Sequence, residues 1–299
     1  MLTQRMSVKL STLATPQWAY PLALFGITCF AVTLPLTSIA LDDFTPLFIT
    51  TARAAVAGLC ALLMLALFPH AKPTSAEHRP LWISGFALIF GFPMAMAMGL
   101  QTVPAYHGAV VLGVLPLMTA GLSAWVHGYR APLAFWMWSL IGAGLVILFV
   151  SREQSGGVSF GDLWLLAAAA MASYGYVLAG ELSKTRPGWW VISWSLVYVL
   201  PLTAVLLLLS WPDFFWSRPT QSLVAVGSLG VFSMYLGFFA WNAALALGGV
   251  ARIGQVQLLQ VFLTLIWAWV LLSEPITTSV WVFAALVMIA VYFGKRASQ

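Results

Sequence analysis

The chain has 299 residues, 62% of them hydrophobic and only 7% charged, and a net charge of +5. An ordinary soluble domain carries about a quarter of its residues as charges, so this composition excludes a water-soluble globule and places the chain in a bilayer.

A hydrocarbon core about 30 Å thick takes roughly 20 apolar residues per helix, and segments of that length recur along the whole sequence. After a tail, 1–17, the first span covers 18–40. It is too long for a signal-peptide core and lacks an A-x-A cleavage site, so it is expected to stay in the protein. The next spans are 45–68, 81–101, 105–126 and 133–150. Gly91 and Pro93 break the third, the one segment whose re-entry would change the count. The polar stretch "SREQSGGVS" and the residue after it form a linker, 151–160. Beyond it lie spans 161–180, 190–210, 222–246, 252–272 and 276–294, then a tail, 295–299. A β-barrel needs strands of about ten residues with dyad alternation, and these continuous apolar runs do not supply them. The expected fold is all-α, with ten transmembrane helices. Cys29 and Cys60 fall inside spans, where packing rather than pairing is expected.

The basic residues set an orientation. Arg5, Lys9, Lys72, Arg79, Arg130, Lys184, Arg186, Arg252, Lys295 and Arg296 fall on the side of both termini, against Arg152 and Arg218 on the other. Ten against two places the termini in the cytoplasm, and the +5 charge then needs no nucleic acid partner.

The halves 18–150 and 161–294 read as a repeat. A slide of 144 residues sets Ala124, Trp125 and Val126 on Ala268, Trp269 and Val270, and Leu115 on Leu259. Five spans per half is odd, so the two five-helix repeats are inverted. Such repeats enclose a central cavity that opens by alternating access.

Three stretches carry a family resemblance: "FTPLFITTARAAVAG" with Arg53, "VPAYHGAVVLGVLPLMTAGLSAW" with Pro116, and "LLSEP" with Glu274. Together with ten spans in two halves, they resemble the drug/metabolite transporter superfamily and its EamA-type exporters. Arg130 in "HGYRAP" departs from the acidic residue usual there, so no role is carried to it. The resemblance implies efflux of amino acids or similar small metabolites across a bacterial-type inner (plasma) membrane. The chain looks most like the bacterial aromatic amino acid exporters, with nucleosides, sugars, or other neutral metabolites or drugs as the alternative.

Candidate site residues follow from helical geometry and the 144-residue offset. Gln257, Gln260 and Thr264 make one polar stripe on span nine, and their counterparts Gly113, Pro116 and Ala120 are small or kinked. Amides facing space suit a small polar ligand, although they also serve as interhelical glue. Tyr174, Tyr235 and Asn242 fall opposite Phe30, Gly91 and Met98, so Met98 joins the candidate wall. Spans 1, 3, 4, 6, 8 and 9 are expected to line the cavity, with Pro35, Pro93, Pro116 and Pro201 as bends. His107 opens span four, where it fits an interfacial group or a gate. Arg53, the one cation deep in a span, is compatible with binding a carboxylate or with snorkelling. Trp18, Trp82, Trp189, Trp190, Trp211 and Trp216 read as an interfacial belt.

All eight acidic residues, among them Asp162 and Glu274, lie at or outside the span edges, which favours a facilitative or exchange mode over strong ion coupling. One deep cation is too few for a phosphorylated solute. No catalytic constellation or cofactor motif is present, and His70, His78, His107 and His127 are too scattered for a metal site, so no enzyme, cofactor or metal is expected. The partners are the solute and lipid. Gly142 and Gly144 in span five leave monomer and homodimer both open.

Overall fold

The computed structural model describes residues 16–128, 132–153, 159–248, 253 and 256–297. Arg130, Arg252 and Gln255 lie outside them. Among the described residues there is no strand, and nine helices are long and apolar enough to cross a membrane: α1 (Ala19–Leu41), α2 (Pro46–Leu67), α3 (Ser75–Leu100), α4 (Ala105–Val126), α5 (Leu133–Arg152), α6 (Phe160–Ser183), α7 (Gly188–Leu209), α8 (Thr220–Gly248) and α10 (Thr278–Ala297). The ninth expected span is the shorter α9, Val256–Leu272.

Local chemistry sets the helix ends. Thr45 caps α2, its Oγ1 accepting from the Phe48 amide, with Pro46 in the first turn where a missing N–H costs nothing. Capping boxes start α3 (Thr74 with Glu77) and α6 (Ser159 with Asp162). Left-handed residues stop α4 and α9: Gly128 at φ 67° and Ser273 at φ 54°. The Gly91 and Pro93 break does not make α3 re-entrant: the helix is continuous, with a π turn over Phe86–Gly91, where the Phe92 amide reaches back to Ala87. The wider turn precedes Pro93, whose ring would otherwise press on the preceding carbonyls. A second π turn, Leu229–Leu236, sits in the matching helix α8.

The two halves interlock. The most extensive helix contacts are α2 with α7, α1 with α8, α5 with α10, and α3 with α6. Every one crosses from one half to the other. The set maps onto itself when each helix is exchanged for its counterpart five positions on, as a pseudo-two-fold axis requires. Small residues permit the approach. Where α3 meets α6, a Cβ on Gly99 would sit 3.0 Å from the Gly161 carbonyl oxygen, and one on Gly161 would sit 2.9 Å from that of Gly99.

The repeat offset is not constant. α2 and α7 start at 46 and 188 and end at 67 and 209, both 142 apart, whereas the left-handed caps Gly128 and Ser273 are 145 apart. The 144-residue slide therefore falls within a residue of the later helices but about two residues off the earlier ones, and it misaligns α1 with α6.

Several surface expectations resolve. Gly142 packs inside the chain, its Cβ position 2.9 Å from Leu117, and Gly144 has nothing within 4 Å. α5 presents Leu133, Trp136, Leu140 and Ile147 outward. Trp18, Trp211 and Trp216 are exposed at or just beyond helix ends, and Trp82 is exposed about two turns into α3. Trp190 is not part of that belt. It is 2% exposed, donates from Nε1 to the Ala71 carbonyl at 2.7 Å, and lies under the Arg186 guanidinium at 4.9 Å. Cys29 and Cys60 are free thiols.

Candidate functional site

A cavity of about 100 Å³ lies between the halves. Its wall is built largely where the helices depart from regular geometry. α1 gives Phe30, Thr33 and Leu34, flanking an interruption at Val32. α4 gives Gly113, Leu115 and Pro116 at the Gly113–Val114 break between its two segments. The π turns of α3 and α8 give Leu88, Ser233 and Met234, with Phe92 and Phe238 just beyond. The 3-10 turn opening α9, Val256–Leu258, gives Gln257, and the helix after it gives Gln260 and Thr264. Irregular backbone is tolerated in a bilayer only where protein or a cavity surrounds it, and transporters place their sites at such discontinuities.

Of the residues predicted to form the site, the cavity wall holds Pro116, Gln257, Gln260 and Thr264. The small residue Gly113 also lines the cavity, its Cβ position 3.0 Å from Met288 Cε, while Ala120 is outside the wall. Neither glutamine side chain makes a hydrogen bond within the described residues, so both amides are available to a solute. Thr264 Oγ1 is already committed, donating to the Gln260 carbonyl at 3.0 Å.

The structure puts the other five elsewhere. Tyr174 is 39% exposed and points away from the protein interior. Two residues on, it is Tyr176 that lines the cavity, beside Phe238. Tyr235 is buried next to the wall and shares a 3.1 Å hydrogen bond with Ser193. Asn242 packs against Gly188 at the start of α7, and Met98 is half-buried on α3 outside the wall.

His107 is not interfacial in the sense expected. It is 1% exposed, and its Nε2 meets Asp162 Oδ1 at 2.6 Å, with Asp162 itself 2% exposed. The other carboxylate oxygen accepts from the Ser159 amide and hydroxyl, each at 2.8 Å. The pair thus ties the start of α4 to the start of α6. A second tie lies close by. Glu274, between α9 and α10, accepts from the first-turn amides of Ala105 and Tyr106 at 2.8 Å each, capping α4 from a distant part of the chain. Burial raises the Glu274 pKa above the ordinary carboxylate value, partly offset by these two bonds.

The residue that sequence reasoning left undecided is Arg53. It enters the cavity from α2, 3% exposed, and does not snorkel. Its Nη2 donates to Ser233 Oγ at 3.1 Å, and Ser233 shares a 2.6 Å hydrogen bond with Thr33. The chain Thr33–Ser233–Arg53 spans three helices of both halves. Met288 of α10 also reaches the wall, so α2 and α10 join the six lining helices expected.

The profile of the EamA-like transporter family matches residues 17–152 and again 159–294. The chain belongs to that family. The two EamA matches begin 142 residues apart, the spacing seen between α2 and α7, and they make the repeat a property of the family fold. The uncharacterized transporter YdeK of Bacillus subtilis is 37% identical over 251 residues, covering 84% of this chain and 88% of its own. The uncharacterized transporter sll0355 of Synechocystis is 25% identical over 284 residues, 87% of this chain and 84% of its own. The aromatic amino acid exporter YddG of Ancylobacter novellus is 27% identical over 183 residues, 60% of this chain and 62% of its own. A crystal structure 19% identical superimposes with a TM-score of 0.66 over 94% of this chain and 97% of that one, which bears on the fold alone. This EamA protein is therefore a multi-pass transporter of the drug/metabolite type, and its family and relatives are transporters rather than enzymes.

Proposed function

We propose that the protein carries amino acids, aromatic and other neutral ones, by alternating access across a bacterial-type inner membrane with both termini in the cytoplasm. The observation that carries this reading is the cavity between the halves. It combines free amides (Gln257, Gln260) and one guanidinium with the rings of Phe30, Phe92, Tyr176 and Phe238. Polar groups at one part of a small cavity and aromatic faces elsewhere suit a compact amphipathic solute. The ten-to-two distribution of basic residues supports the orientation.

The transport mode is facilitative or exchange. No acidic side chain among the described residues lines the cavity, and the buried carboxylate of Asp162 is engaged by His107 and Ser159 outside it. One chain supplies both halves of the wall, so transport requires no second copy.

Counterflow tests the reading: labelled phenylalanine, threonine and methionine entering proteoliposomes preloaded with unlabelled amino acid, without an ion gradient. The expected result is accumulation by the intact protein and its loss in Gln260→Leu. Counterflow unaffected by Gln260→Leu would return the amides to the role of helix glue. Absence of flux for all three solutes from folded protein would replace amino acids with nucleosides or sugars.

A further inference from the structure

We infer that Arg53 is the anchor for a carboxylate on the transported solute, so that a carboxylate is required for recognition and an amino group is not. This deepens the amino acid reading and rests on the same cavity.

The argument begins with what the guanidinium lacks. It is buried and lines the cavity, yet Nε and Nη1 make no hydrogen bond, and the one partner of Nη2 is a neutral hydroxyl. Arginine carries five N–H donors in a rigid fork that matches a carboxylate. A charge held in a bilayer without a counter-charge is costly, and this chain retains one at the junction of its halves. The acidic groups that could have answered it are engaged elsewhere: Asp43 with Ser222, Glu77 with Arg186, Asp162 with His107, Glu274 with the α4 amides. The missing anion therefore comes from the solute. An ammonium group finds no such charged complement, since among the described residues the wall offers it only neutral oxygens, on the amides and on the hydroxyls of Thr33, Ser233, Thr264 and Tyr176, and ring faces. Ser233 of α8 holds the guanidinium of α2 and is itself bonded to Thr33 of α1, so a carboxylate bound there is read by both halves at once.

The test uses matched analogues on the purified full-length protein. Thermal stabilisation and inhibition of phenylalanine counterflow are measured with phenylalanine, 3-phenylpropionate (no amine), phenethylamine (no carboxylate), and the pair butyrate and butylamine, with chloride alone as the ion control. The expected result is that the carboxylates act and the amines do not. Arg53→Gln should weaken the carboxylates about tenfold to a hundredfold, the loss typical of hydrogen bonds to a charged group, while Arg53→Lys should lose less. Carboxylate binding dependent on Arg53 in a protein that carries no amino acid would uphold the anchor and overturn the proposed solute. Phenylalanine counterflow inhibited equally by phenethylamine would uphold the solute and overturn the anchor. Stabilisation by chloride equal to that by the carboxylates would overturn it as well, as would no response to any compound. The analogue series on the unaltered protein decides the matter even if Arg53→Gln does not fold.

Discussion

Gly230 is the position at which packing and site chemistry can be tested together. It opens the π turn of α8, where a Cβ would lie 2.6 Å from Val56 Cβ, 2.7 Å from Val56 Cγ1 and 3.0 Å from the Arg53 carbonyl oxygen. Carbon atoms pack at about 3.5–4.0 Å, so Gly230→Ala must push α8 from α2 by roughly 1 Å. Overpacking of this kind costs about 1–3 kcal/mol, against a gain of up to about 1 kcal/mol from replacing a helical glycine. The separation also acts three residues on. Ser233 Oγ would move from 3.1 Å to about 4 Å from Arg53 Nη2, beyond hydrogen-bonding range. Gly227, three residues earlier in α8, is the control because nothing lies within 4 Å of its Cβ position. We expect Gly227→Ala to keep or raise the apparent melting temperature and leave counterflow intact. Gly230→Ala should melt lower and bind solute more weakly. Equal melting temperatures and equal transport in the two variants would refute the claim that the α2–α8 contact fixes the Ser233–Arg53 geometry.

Other expectations concern the ties and the wall. Asp162→Asn removes the carboxylate that buried His107 meets and weakens the α6 capping box, and should cost about 1–3 kcal/mol in thermal unfolding; a shift within error would mean the pair is not closed in the membrane. The raised pKa of Glu274 means that the folded protein favours its protonated form. Its contribution is thus present below the ordinary glutamate value of about 4.3 and lost as pH rises through the raised one. The melting temperature of the intact protein minus that of Glu274→Gln should fall over this range, and a difference that grows with pH would contradict the assignment. Tyr176→Leu should reduce counterflow of aromatic solutes whereas Tyr174→Leu should not, and the reverse order would return Tyr174 to the site.

The helices were legible because each is a long apolar run, and the amide stripe because Gln257, Gln260 and Thr264 recur on one helical face. Tyr176 was missed through reliance on a single 144-residue offset where the first helices are related by 142. A better signal was at hand: Leu165, Ala168, Ala172 and Tyr176 repeat at helical spacing, and the first three are fully buried while Tyr176 lines the cavity. His107 and Asp162 each read as span-end residues, and only their meeting across 55 positions makes them an enclosed pair. The Arg53–Ser233 contact joins residues 180 apart. Nothing local in "TTARAAV" says whether the arginine turns to water or to a cavity.

The paired π turns also shape what a solute meets on either side of the cavity. A π turn is wider than the α-helix around it, and such turns recur at functional sites. One stands at corresponding places in α3 and α8, starting 143 residues apart, and each gives residues to the wall, Leu88 from the first and Ser233 and Met234 from the second. A solute between them is therefore framed by a widened turn from each half.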